Sequence, residues 1–109
     1  MAVNRARIIN FNFFIKTIGA SNTSEALNAT SIYTTEFELY FPTGNAAVVY
    51  FGASNISANA IPRTAGSIVA FNAENIMGEP RHFNLNEIYV YGTAGDTVRV
   101  QYRTIDSGL

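Results

Sequence analysis

"NLNEIYVYGTAGDTVRVQYR", residues 84–103, is the stretch on which the fold reading turns. Two runs of alternating apolar and polar residues flank a glycine-bounded turn, the pattern of two strands that reverse direction. With "GTAG" as the loop, Tyr89 faces Val98 and Ile88 faces Arg99, which mixes polar and apolar side chains on both faces. With the five-residue loop "GTAGD", Val90 faces Val98, Ile88 faces Val100, and Tyr102 continues the same side. The pattern therefore predicts a β-hairpin closed by five residues. Its other face carries Glu87, Tyr89, Tyr91, Arg99, Gln101 and Arg103, with Glu87 diagonal to both arginines.

The same alternation recurs upstream. From Arg7 to Lys16 the apolar residues Ile9, Phe11, Phe13 and Ile15 share one parity and Asn10, Asn12 and Lys16 the other, which predicts a strand with one wet face. Phe14 breaks the polar parity and reads as a contact to another element or another chain. Residues 19–31 are small and polar, a loop with room for one helical turn around Glu25 to Asn28. "IYTTEFELYF" predicts a second long strand, with Tyr33, Phe37, Leu39 and Phe41 opposing Thr34, Glu36 and Glu38. "PTGN", residues 42–45, is a turn, and "AAVVYFG" after it completes a hairpin. Residues 53–65 form a long polar segment, "GSIVAFN" a short buried strand, and "AENIMGEPRHF" a crossing between sheets, where Gly78 and Pro80 oppose a helix.

Five or six such runs without an amphipathic helix predict an all-β, antiparallel β-sandwich or jelly-roll-like fold, with 1–109 as a single domain and 1–18 as an extended N-terminal strand or arm. Parallel units are excluded because no helix of adequate length links the strands. A chain of 109 residues, 48% hydrophobic and 14% charged, supports one core without disulfides. Net charge is −1 and Lys16 is the sole lysine, so there is no broad footprint for nucleic acid. The N-terminal apolar run, interrupted by Asn10, Asn12 and Lys16, is too short and polar to span a membrane and reads as a strand rather than an export leader.

Chemistry is sparse in this pattern. Cysteine is absent, which removes thiolate catalysis and Cys-ligated zinc and leaves the redox compartment open. His82 is the lone histidine and reads as a loop residue rather than half of a nucleophile–base pair. Glu36 and Glu38, at i and i+2 on one strand face, stand roughly 7 Å apart, a spacing glycosidases use but one that any solvated strand supplies. No calcium loop or phosphate-cradling motif occurs, so no cofactor is expected. Asn22, Asn28 and Asn55 head N-x-Ser/Thr triplets that read as polar loops. The Tyr89, Tyr91, Arg99 and Arg103 group is open to three readings, as core, solvated face or interface. Tyr and Arg are the residue types enriched at protein contacts, which favours the interface.

"VVYFGASNIS", "GSIVAFNAENI" and "NLNEIYVYGTAGDTVRVQYR", in this order over residues 48–103, resemble small β-sandwich bacteriophage virion proteins of the head decoration (cement) type. In that pattern a strand ends in an aromatic-Gly step, a Ser/Asn loop follows, and a final hairpin carries apolar-Tyr-Val-x-Gly-Thr-Ala-Gly-Asp-x-Val. "IPRTAGS" stands where the resemblance calls for a proline-glycine turn. The resemblance implies a non-enzymatic protein on the outer capsid of the virion, with the major capsid protein as partner and a homotrimer as its oligomer. It also implies an N-terminal arm reaching a neighbour, which adds Arg5, Arg7 and Phe14 to the expected interface. The competing expectation is a carbohydrate-binding or adaptor module of a neck, tail or fibre, with tyrosines as the sugar-stacking groups.

Overall fold

Residues 92–96, the centre of the decisive stretch, turn a corner between two sheets instead of closing a hairpin. The computed structural model describes residues 8–73 and 82–106. These form β1 (Ile8–Thr17), β2 (Glu25–Ala26), β3 (Tyr33–Thr34), β4 (Glu36–Tyr40), β5 (Tyr50–Gly52), β6 (Ile68–Asn72), β7 (Phe83–Asn84), a 3-10 turn (Leu85–Glu87), β8 (Tyr89–Tyr91) and β9 (Thr97–Asp106). One sheet has the order β1-β9-β4-β6, a second β2-β8-β5, and a third pairs β3 with β7. All these pairings are antiparallel, and the fold is an all-β sandwich.

β8 and β9 thus belong to different sheets, and the expected pairings of Val90 with Val98 and of Ile88 with Val100 do not form. All three valines are nonetheless buried in one core, because they approach it from two sheets. Period two records which face is apolar; it does not record whether the apolar partner lies beside the strand or across the core.

What selects the corner is a set of polar contacts distant in sequence. Asp96 is buried, and its carboxylate accepts from the amides of Ala46 (2.8 Å) and Ala47 (3.1 Å). Asn45 and Thr97 exchange bonds, Asn45 Nδ2 donating to the Thr97 carbonyl and the Thr97 amide to Asn45 Oδ1, both 2.9 Å. The other flank is tied to Ile18, which donates to the Asp96 carbonyl and accepts from the Gly95 amide, again at 2.9 Å. Gly95 holds a φ of 93°, open to glycine at no steric cost.

The turn at 42–45 forms as expected, with the Asn45 amide donating to the Pro42 carbonyl at 3.1 Å. It is also a corner: β4 lies in the four-stranded sheet and β5 in the three-stranded one, so the second expected hairpin is overturned for the same reason. No helical turn occupies 25–28, where β2 pairs with β8 and the Leu27 amide donates to the Ile88 carbonyl. The "IYTTEFELYF" strand breaks at Thr35, leaving Tyr33 exposed and Thr34 buried. The Thr34 hydroxyl donates to the Arg103 carbonyl (2.6 Å) and accepts from the Glu36 amide, which satisfies the break. β6 is an edge strand with Ile68 and Ala70 outward, not a fully buried one. Most of the expected crossing segment, 74–81, lies outside the described residues.

Inward-facing rows of the four-stranded sheet follow from its register. Phe14, Val100, Leu39 and Val69 form one row, and Asn12, Tyr102, Phe37 and Phe71 the next. With Phe41, Val98, Val49, Val90, Leu27, Leu85 and Ile18 the apolar members of these rows enclose the core. Phe37, Phe71 and Phe83 make a mutually contacting aromatic cluster with centroids 5.0–6.2 Å apart.

Candidate functional site

The parity of β1 is the reverse of the one expected from its composition. Because β9 commits Val98 and Val100 to the core, their cross-strand partners Lys16 and Phe14 must also point inward. Phe11, Phe13 and Ile15 then face outward, exposed to 67%, 81% and 56%.

Polar side chains on the inward parity are accommodated because β1 is an edge. Asn12 Nδ2 donates to Thr104 Oγ1 (3.4 Å). Lys16 Nζ reaches Glu25 at 2.9 Å. Glu25 in turn accepts from the Gly19 and Ala20 amides. The Gly19 amide leads the contacts that hold the Glu25 carboxyl below its ordinary range, joined by Lys16 and the Ala20 amide against the opposing effect of burial.

Register assembles the outward residues of the sheet into three rows of four. Ile15, Arg99, Tyr40 and Ile68 lie across one row, and Phe13, Gln101, Glu38 and Ala70 across the next. Phe11 with Arg103 and Glu36 with Asn72 complete the third, joined at its centre by the Arg103–Glu36 ion pair. The face therefore has apolar margins and a polar middle: β1 supplies Phe11, Phe13 and Ile15, β6 supplies Ile68 and Ala70, and β9 and β4 supply the charges. The Arg99 guanidinium lies over the Tyr40 ring, 5.7 Å from its centroid. A shallow groove of about 410 Å³ runs between Phe13, Ile15 and Ile68 above these central groups. The four exposed apolar side chains together hold on the order of 500 Å² of apolar surface, divided between the β1 and β6 margins.

The residues expected to form one interface are distributed over the sandwich. Arg99 and Arg103 belong to the outer face just described, whereas Tyr89 and Tyr91 flank buried Val90 on the three-stranded sheet and point away from the core there. Tyr91 packs edge-on against Tyr50 with centroids 6.0 Å apart. Glu87 lies in the 3-10 turn, so the expected diagonal to the arginines does not exist, and Glu36 pairs with Arg103 instead. Phe14 is turned inward against Tyr102 (6.1 Å), which makes it a contact to another element of the same chain. Arg5 and Arg7 lie outside the described residues.

Sequence reading missed Phe11, Phe13, Ile15 and Ile68 as surface groups. The signal that identifies them is not in β1 itself but in its pairing with β9, whose valines are unambiguous. Of the candidates for chemistry, His82 is exposed and Glu36 is engaged by Arg103. Among the described residues no cluster of His, Asp, Glu or Cys is placed to hold a metal ion. Among them, too, no helix is long and apolar enough to cross a membrane. Comparison of the chain with protein-family models, curated proteins and solved structures gives no match.

Proposed function

We propose that this protein is a non-enzymatic structural component of a bacteriophage virion, a head decoration (cement) protein that binds the outer capsid and bridges adjacent copies of the major capsid protein. The observation that carries the reading is the outer face of the four-stranded sheet, where Phe11, Phe13 and Ile15 along β1 at one margin and Ile68 on β6 at the other are all more than half exposed. Apolar surface of this extent on the margins of one sheet face has a use in an assembly and a solubility cost outside one. Tyr50, Tyr89 and Tyr91 on the other sheet supply a second surface rich in a contact-forming residue, so one rigid sandwich can touch two neighbours. The resemblance of residues 48–103 to decoration proteins supplies the particle. Individual contacts can be weak in such a role because many copies engage a repeated surface.

The test is co-sedimentation of the purified protein with phage heads stripped of decoration. Saturable binding at a fixed ratio to the capsid subunits, with heads that resist heating better once covered, is the expected result. Heads that remain bare while the protein binds a sugar on a glycan array would replace this reading with the carbohydrate-binding module of a neck, tail or fibre.

A further inference from the structure

We propose that the outer face of the four-stranded sheet is covered by the same face of a second copy of this chain, related by a twofold axis that runs parallel to the strands between β9 and β4. The inference rests on the register and charges of the sheet rather than on the phage reading, and it gives this face to a second copy, leaving the tyrosine-bearing face of the other sheet for a capsid contact.

The three rows are largely self-complementary. Rotation about that axis lays β1 over the partner's β6 and β9 over the partner's β4. Ile15 then meets the partner's Ile68, and Phe13 meets the partner's Ala70. In the middle of the face, Arg99 meets the partner's Tyr40 and Gln101 the partner's Glu38. Arg103 meets the partner's Glu36, so the ion pair made within each chain becomes a four-charge cluster of alternating sign. In two of the three rows apolar margins cover apolar margins, in the third Phe11 covers the partner's Asn72, and every charged group in the centre meets an opposite charge, an amide or an aromatic ring.

The other twofold that stacks the two faces, perpendicular to the strands through the middle row, lays Arg99 over the partner's Arg103 twice, and like charges facing each other at a contact are costly. Charge therefore selects the axis. Glu38 supplies the second sign of this selection, because its exposed carboxylate makes no ion pair among the described residues. An isologous patch of this kind closes as a dimer, whereas the threefold expected from the resemblance requires two different patches that fit each other.

Area sets the strength. Three rows of four residues supply roughly 600 Å² per copy, below the ~800 Å² per partner of a typical stable complex, so the dimer is expected to dissociate on dilution through the micromolar range. Sheet-on-sheet packing at about 10 Å with a rotation near −30° accommodates the native twist.

The experiment is a charge exchange read by sedimentation velocity. Across the twofold, Arg99 lies one row diagonal to the partner's Glu38. Arg99→Glu alone and Glu38→Arg alone each bring like charges together at both copies of this diagonal, and each is expected to weaken the dimer at least tenfold. Mixed in equal amounts, the two variants restore opposite charges at both positions, and the mixture is expected to recover wild-type affinity within about threefold. Both sites are exposed, and thermal melts confirm that each variant is folded before association is scored. A wild-type chain that stays monomeric at millimolar concentration overturns the proposal, whether or not it binds heads or glycans. A dimer indifferent to both substitutions, or a mixture that does not recover, overturns this geometry equally.

Discussion

Asp96→Ala removes the acceptor on which the sheet-to-sheet corner depends. In the native chain its carboxylate is 5% exposed and receives the Ala46 and Ala47 amides at 2.8 and 3.1 Å. A hydrogen bond to a charged group contributes about 1.5–3 kcal/mol, so two of them set an upper range near 3–6 kcal/mol. Ala46 and Ala47 are exposed, however, and water can replace the lost acceptor at both amides. Burial of the carboxylate also carries a desolvation cost that the substitution relieves. These two corrections bring the expected loss to about 2–3 kcal/mol, or a fall in Tm of roughly 8–15 °C for a domain of this length. Urea unfolding followed by far-ultraviolet circular dichroism measures it, with the midpoint lowered and the slope unchanged. A variant within 0.5 kcal/mol of wild type would refute the claim that this carboxylate holds the corner.

Further perturbations test other parts of the account. Gly92→Ala would place a Cβ 2.9 Å from Ile18 Cδ1 and 3.5 Å from Val49 Cγ2, and should cost about 1–3 kcal/mol by overpacking in the same unfolding assay. Glu25 has its folded-state carboxyl held below the ordinary value of 4.5, so its stabilising contribution is present above that pH and is lost as pH falls through the depressed value. Glu25→Gln should therefore lower stability at pH 7 and flatten the acid limb of a Tm-against-pH curve; an acid limb as steep as wild type would contradict this. Tyr89→Ala and Arg99→Ala, on different sheets, should combine additively within about 0.5 kcal/mol, whereas a larger coupling would mean that the two side chains share a face after all.

Much of the core was legible from alternation alone. Val90, Val98, Val100, Phe37, Leu39 and Phe41 were all on the correct side of their strands, because a buried strand face advertises itself at period two whatever stands opposite. Strand partners were not legible. The five-residue loop gave a consistent hairpin register for 84–103, and the same valines are equally consistent with two sheets facing each other. The choice depends on Asp96 finding the amides at 46 and 47 and on Asn45 finding Thr97, contacts about fifty positions apart that no local pattern encodes. β1 failed for a related reason: its more apolar parity is outward because β9 dictates the pairing. Thus Arg99 and Arg103 do share one sheet face as the alternation implied, Tyr89 and Tyr91 lie on the other sheet, and the apolar residues beside the arginines were assigned to the core.

The most direct test of the outward apolar face is the solution mass of the wild-type chain and of Phe13→Ser by light scattering over a dilution series from millimolar to submicromolar. Phe13 is 81% exposed, so the substitution should leave the monomer's stability nearly unchanged. The account predicts that wild type approaches twice 11.9 kDa at high concentration and falls toward 11.9 kDa on dilution, while Phe13→Ser stays near 11.9 kDa over most of the range. Identical masses for the two proteins at every concentration, or a Phe13→Ser chain that loses its fold, would contradict it.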